Sequence, residues 1–155
     1  MESSLLDLFR SVSFWSAVCA WLVAQFTKML CGLSRTGRLD FWYLVSVGGM
    51  PSAHSAMVSG LATSAGIEGG FDSPLFVVAL AFALMTMFDA STVRRAAGLQ
   101  ARLLNEILDE LFKEHHLSER KLKELLGHTR IEIVAGMMIG VLVAFVVASL
   151  PAVVR

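Results

Sequence analysis

The sequence predicts an all-α fold: a polytopic membrane helix bundle of about four transmembrane helices with a cytoplasmic amphipathic helix. Three observations carry that expectation. Hydrophobic residues make up 55% of the 155 residues and charged residues only 17%, against about 25% charged in an ordinary soluble domain. Mean hydropathy is +0.66. The charges are also segregated: residues 11–34 carry only Lys28, residues 41–88 only Glu68 and Asp72, and residues 133–154 none, while 91–130 hold fourteen of the twenty-six. Long stretches without charge suit lipid contact. The composition excludes a disordered chain, a disulfide scaffold and a basic nucleic-acid binder.

One integral membrane domain over 1–155 follows, with spans at roughly 11–30, 41–67, 74–90 and 131–150 and a cytoplasmic helical insert at 91–130. Each span approaches the ~20 residues that cross a hydrocarbon core. The N-terminus does not read as a cleavable signal, because Glu2 and Asp7 precede the apolar run and no basic region opens it. The second segment is broken by Gly48, Gly49 and Pro51. A proline pushes the residue before it off helical geometry, so 41–50 reads as a short re-entrant piece and a helix starts near Pro51–Ser52. Irregular backbone at membrane depth is tolerated where it lines an enclosed or watery cavity. Pro74 opens the third span as a first-turn residue, and the fourth ends before Pro151.

Within 91–130, Leu99, Leu103, Ile107, Leu108, Leu111 and Phe112 recur at helical spacing between charged residues, the pattern of an amphipathic helix on the membrane surface or packed on its own bundle. A shorter helix is expected after it, capped by Ser118 with Lys121 to Leu126 in its body. Four spans put loops 28–42 and 91–130 on one face. That face carries eleven of the thirteen Lys and Arg, against Arg10 and Arg155 on the other. The positive-inside rule then places the basic loops in the cytoplasm and both termini outside, in a membrane of the bacterial inner type. Cys19 and Cys31, about 18 Å apart on one helix, read as apolar packing residues.

The polar residues converge on the cytoplasmic face. Lys28 and Arg35 flank the end of the first span, Ser52 and His54 open the second, Asp89, Arg94 and Arg95 follow the third, and His128 and Glu132 open the fourth. His115 and His116 sit in the charged stretch and read as solvated loop. His54 and His128 border the spans, where an ionisable group is a functional candidate; His54 alone fits an interfacial, backbone-satisfied residue equally well. Two histidines among cations suit a phosphate ester: cations and the helix N-terminus at Ser52 bind the anion, one imidazole attacks phosphorus and the other protonates the leaving oxygen. His128 and Glu132 are four apart and share a helix face, where the carboxylate can hold one tautomer or simply form a salt bridge.

The chain resembles the divergent branch of the type-2 phosphatidic acid phosphatases, relatives of acid phosphatases and vanadium haloperoxidases. The resemblance spans roughly 20–147. It rests on Gly48-Gly49-Met50-Pro51-Ser52-Ala53-His54-Ser55-Ala56, on Asp89 with Val93-Arg94-Arg95-Ala96-Ala97-Gly98, on Gln100 and Asn105, and on Leu122-Lys123-Glu124-Leu125-Leu126-Gly127-His128-Thr129. Of the wider family's motifs, Lys28 and Arg35 match the first with Thr36 in place of proline. Pro51, Ser52 and His54 match the second. His128 matches the third, with Glu132 for aspartate and Lys121-Leu122 where the family has Ser-Arg. The resemblance implies His128 as nucleophile forming a phosphohistidine, His54 as general acid and Glu132 as its carboxylate. Lys28, Arg35 and Ser52 would bind phosphate, with Arg94 or Arg95 supplying the absent arginine's charge and Asp89 and Gly49 supporting.

The implied activity is that of a metal-independent lipid phosphatase with no cofactor, acting on a phosphorylated lipid such as phosphatidate or phosphatidylglycerol phosphate. The alternative is a non-catalytic lipid-phosphate binding or transport protein. The wider family's core has six helices, so the smaller bundle here leaves the site more open or completed by a second subunit in a homo-oligomer. Gly136 and Gly140 form a small-xxx-small pair suited to helix packing, which is also compatible with a purely structural membrane protein. No close metal-ligand spacing occurs, and no nucleic-acid partner is expected.

Overall fold

The fold is described from a computed structural model over residues 5–38, 49–111 and 127–150. The expected helix at Ser118–Leu126, His115, His116, Phe112 and most of the re-entrant piece 41–50 lie outside the described residues. Every regular element among the described residues is a helix: α1 (Leu5–Leu8), α2 (Val12–Thr36), α3 (Ala53–Gly69), α4 (Pro74–Ser91), α5 (Val93–Leu111) and α6 (Arg130–Ala148). Hydroxyl caps start four of the five long ones. Ser11, Ser52, Ser73 and Thr129 each accept a hydrogen bond from a first-turn N–H, satisfying a donor that helix geometry leaves unpaired. Pro74 occupies the first turn of α4. Gly37 ends α2 at φ +66°, where its N–H reaches the Leu33 carbonyl at 2.8 Å, a left-handed stop natural to glycine.

Among the described residues, three stretches are long and apolar enough to cross a membrane: Val12–Ser34, Pro74–Leu108 and Arg130–Ala148. They correspond to the first, third and fourth expected spans. α3 differs. It has 17 residues and sits at the centre, packed against α2, α4 and α6. Its composition explains the position. Ser55, Ala56, Ser59, Gly60, Ala62, Ser64, Ala65 and Gly66 are all buried, and such small side chains let backbones approach closely where lipid supplies no hydrophobic drive.

The contacts are correspondingly tight. Alanine at Gly140 would overlap Ser59 Oγ and the Ala56 carbonyl, and at Gly136 the Ser52 carbonyl. The Gly136–Gly140 face of α6 is therefore the surface that meets α3. Ser59 Oγ adds a bond across this contact to the Met137 carbonyl at 3.2 Å. Ala20 and Ala24 of α2 close the third side against Ala53 and Ala56, with Trp21, Ile139 and Val143 around them. Val58 and Ala62 pack on Ala83 of α4.

Two bonds fix the relative directions of the helices. Ser13, at the start of α2, donates to Glu68 Oε2 at the end of α3 at 2.6 Å, so α2 and α3 are antiparallel. The Ser52 N–H, before α3, donates to the Glu132 carbonyl in the first turn of α6 at 3.0 Å, so α3 and α6 are parallel. The short turn Gly70–Ser73 sends α4 back beside α3. The end of α2, the start of α3, the end of α4 and the start of α6 thus gather at one end of the bundle.

Candidate active site

That end holds two buried ionisable side chains. His128 is 7% exposed and Lys28 is 4% exposed, deep for ionisable groups. The Gly127–His128 segment is seated on the α4–α5 junction. The His128 N–H donates to the Ala90 carbonyl at 3.2 Å. A Cβ at Gly127 would fall 2.5 Å from the Arg95 nitrogen and 2.9 Å from the Ala90 oxygen. No larger residue fits there, so glycine permits the contact that brings His128 in.

Thr129 and Glu132 form a capping box at the start of α6. Glu132 Oε2 accepts the Thr129 N–H at 3.0 Å, and Thr129 Oγ1 accepts the Glu132 N–H at 3.4 Å. The same carboxylate oxygen lies 3.0 Å from Nδ1 of His128. An ionised carboxylate can only accept, so this contact keeps the proton on Nδ1 and leaves the lone pair on Nε2. Glu132 also interacts electrostatically with the buried Lys28. Imidazole and carboxylate are thus in direct contact, and the Lys28 side chain lies within electrostatic reach of that carboxylate. Gly49, at φ +82°, runs along the Lys28 stem: a Cβ there would lie 3.8 Å from its Cγ and Cδ.

The other expected residues are placed as follows. Ser52 is fully buried. Its Oγ accepts from the Ser55 N–H at 3.3 Å and from Ser55 Oγ at 3.0 Å, so its hydroxyl is engaged in starting α3. His54 is exposed in the first turn of α3, on the turn that the Ser52–Glu132 bond holds beside α6. Asp89 is half-buried in the last turn of α4, next to Ala90. Arg95 is exposed, with its backbone against Gly127. Arg94 lies beside it in the first turn of α5, and Arg35 in the last turn of α2. Sequence reasoning did not single out Thr129, Ser55 or the Ala90 carbonyl. The Thr129-x-x-Glu132 spacing before an apolar run is a capping-box signal and was available for Thr129. The partners of Ala90 and Ser55 depend on tertiary contact. Among the described residues, no three His, Cys, Asp or Glu side chains gather as a metal-ligand set.

The family comparison matches this region of the chain. The Divergent PAP2 family covers residues 9–143, from before α2 into the second half of α6. The chain belongs to that family. A relative from Bacillus subtilis (strain 168), YuiD, described as an uncharacterized membrane protein, is 37% identical over 154 residues, covering 92% of this chain and 98% of its own length. No solved structure matches. With three spanning-length apolar helices and a membrane-protein relative, this divergent PAP2 chain is an integral membrane protein. Its matched region includes every residue gathered at the polar end.

Proposed function

We propose that this divergent PAP2 protein is a membrane-embedded lipid phosphatase. It hydrolyses a phosphomonoester of the phosphatidate or phosphatidylglycerol phosphate type at the cytoplasmic face of a bacterial-type inner membrane. The observation that carries the reading is the buried His128 imidazole, held at Nδ1 by Glu132 with Lys28 alongside. A phosphate monoester binds against Lys28, Arg35 and the positive end of α3, which Ser52 caps, with the arginines of the α4–α5 junction adding charge. His128 Nε2 attacks phosphorus and the bond to the lipid oxygen breaks. His54 gives that oxygen its proton, and the lipid alcohol leaves, diacylglycerol from phosphatidate or phosphatidylglycerol from its phosphate. Water, losing a proton to His54, then attacks the phosphohistidine, and inorganic phosphate departs with His128 restored. Glu132 stabilises the cationic ring in both steps.

The test is phosphate release from phosphatidate by purified protein in mixed micelles. His128→Ala is expected to cut turnover by about 10³-fold or more while leaving the protein monodisperse. Unchanged turnover removes His128 as nucleophile.

One observation favours a second reading, binding without turnover. Lys121 and Leu122 stand where the wider family carries Ser-Arg. A wild-type protein that retains phosphatidate on vesicles but releases no phosphate supports that reading over the first.

A further inference from the structure

α5 is amphipathic, but its apolar side is turned away from the protein. Gly98, Ala101, Asn105 and Leu108 follow one another at helical spacing on the inward side, with Gly98 and Asn105 buried and the other two half-buried. Asn105 is 5% exposed. The opposite sector is apolar and open: Leu99 is 52% exposed, Leu103 58%, Leu104 49% and Ile107 43%. A third sector holds Arg95, Arg102 and Glu106, all exposed, with Arg102 Nε paired to Glu106 Oε1 at 3.1 Å. A helix resting on its own protein in water buries its leucines and exposes its amide. This helix does the reverse.

We propose that α5 lies in the bilayer, at the boundary between headgroups and acyl chains. Leu99, Leu103, Leu104 and Ile107 enter the acyl region, and the Arg95–Arg102–Glu106 edge stays among the headgroups. Two features select lipid over another protein as the occupant. The apolar surface continues from α4, whose Phe82, Leu84, Met85 and Phe88 are more than half exposed and which is joined to α5 through Thr92 alone. The charged sector also borders the apolar one along the helix, the two-faced arrangement of interfacial helices, with arginines able to pair with lipid phosphates. The inward Gly98–Asn105 stripe is then the part of α5 that seals against protein.

The test uses the wild-type full chain in vesicles of phosphatidylcholine and phosphatidylglycerol that contain a lipid with a diazirine midway along one acyl chain. Illumination and mass spectrometry locate the carbene adducts. The expected result is adducts on the Leu99–Ile107 apolar sector as well as on Phe82 and Met85, with none on Gly98 or Asn105. Substituting Leu103→Glu together with Ile107→Glu is expected to abolish the α5 adducts and leave those on α4. Adducts on α4 without any on wild-type α5 overturn the proposal. So does efficient disulfide dimerisation of Leu103→Cys in vesicles, which would put a second copy on this face. Neither readout depends on turnover, so the phosphatase reading and this one fail separately.

Discussion

Glu132 serves three partners at once: its carboxylate takes the Thr129 N–H and faces His128 Nδ1, and its backbone carbonyl takes the Ser52 N–H. These duties separate by substitution. Glu132→Gln keeps an acceptor for the capping box, which glutamine supports as well as glutamate. It removes the charge that stabilises the imidazolium. Turnover should fall by about 10²–10⁴-fold, with stability lowered by no more than ~1 kcal/mol. Thr129→Ala does the opposite: it removes the hydroxyl cap at a cost of about 1 kcal/mol and leaves the Glu132 carboxylate facing His128 in place, so turnover per folded molecule should persist. Phosphate release and thermal unfolding measured on both variants decide the matter; a Glu132→Gln protein with full turnover would reduce Glu132 to a cap. At this scale one contact was legible, but not its cause. The pairing of His128 with Glu132 was expected from a shared helix face, but His128 precedes the N-cap Thr129 and lies outside α6; the two meet because the capping box turns the Glu132 carboxylate back toward the residues before the helix. The burial of Lys28 was not legible, since it depends on Gly49 approaching from a distant part of the chain. Nor was the exposure of His54, because a motif names a residue without fixing the side of the helix on which neighbours pack.

Helix starts were written locally, by Ser11, Ser73 with Pro74, Ser52 and Thr129, and local signals survive folding. The role of α3 was not. Its Ser, Gly and Ala residues lower its apolarity below that of α4 and α6, and only the packed bundle shows that they are contact surface. Its partner face on α6 makes this testable. Gly140→Ala places a methyl group against Ser59 Oγ and the Ala56 carbonyl, and backbone cannot swing aside as a flexible side chain can. Overpacking of this kind costs about 1–3 kcal/mol. Thermal unfolding in detergent should show a lower midpoint for Gly140→Ala. Gly136→Ala should lose turnover as well, because its collision is with the Ser52 carbonyl at the site end. An unchanged midpoint in both would mean that α6 does not rest on α3 through these glycines. α5 shows the same limit of sequence from the other side: spacing reveals that a helix has two faces, but not whether water, lipid or protein meets each one.

At the scale of the molecule, chain direction and charge point the same way. α2, α3, α4 and α6 traverse the bundle in alternating directions, so the start of α2 and the end of α6 share one end, and the polar site occupies the other. The site end carries Lys28, Arg35, Arg38, Arg94, Arg95, Arg102 and Arg130, while the opposite end carries Arg10 with Asp7, Glu68 and Asp72. Lys and Arg are retained on the cytoplasmic side, so the site should open inward and the Gly70–Ser73 turn outward. In intact cells, a membrane-impermeant maleimide should label Asp72→Cys readily, whereas Arg95→Cys should react only after permeabilisation, both in a background lacking Cys19 and Cys31. Both positions are exposed, so access to the thiol reports the side of the membrane and not burial. Labelling of Arg95→Cys alone in intact cells would reverse the orientation. A site reached from outside would then draw on lipids of the outer leaflet, and the phosphorylated lipids made on the cytoplasmic leaflet would no longer be its natural substrates.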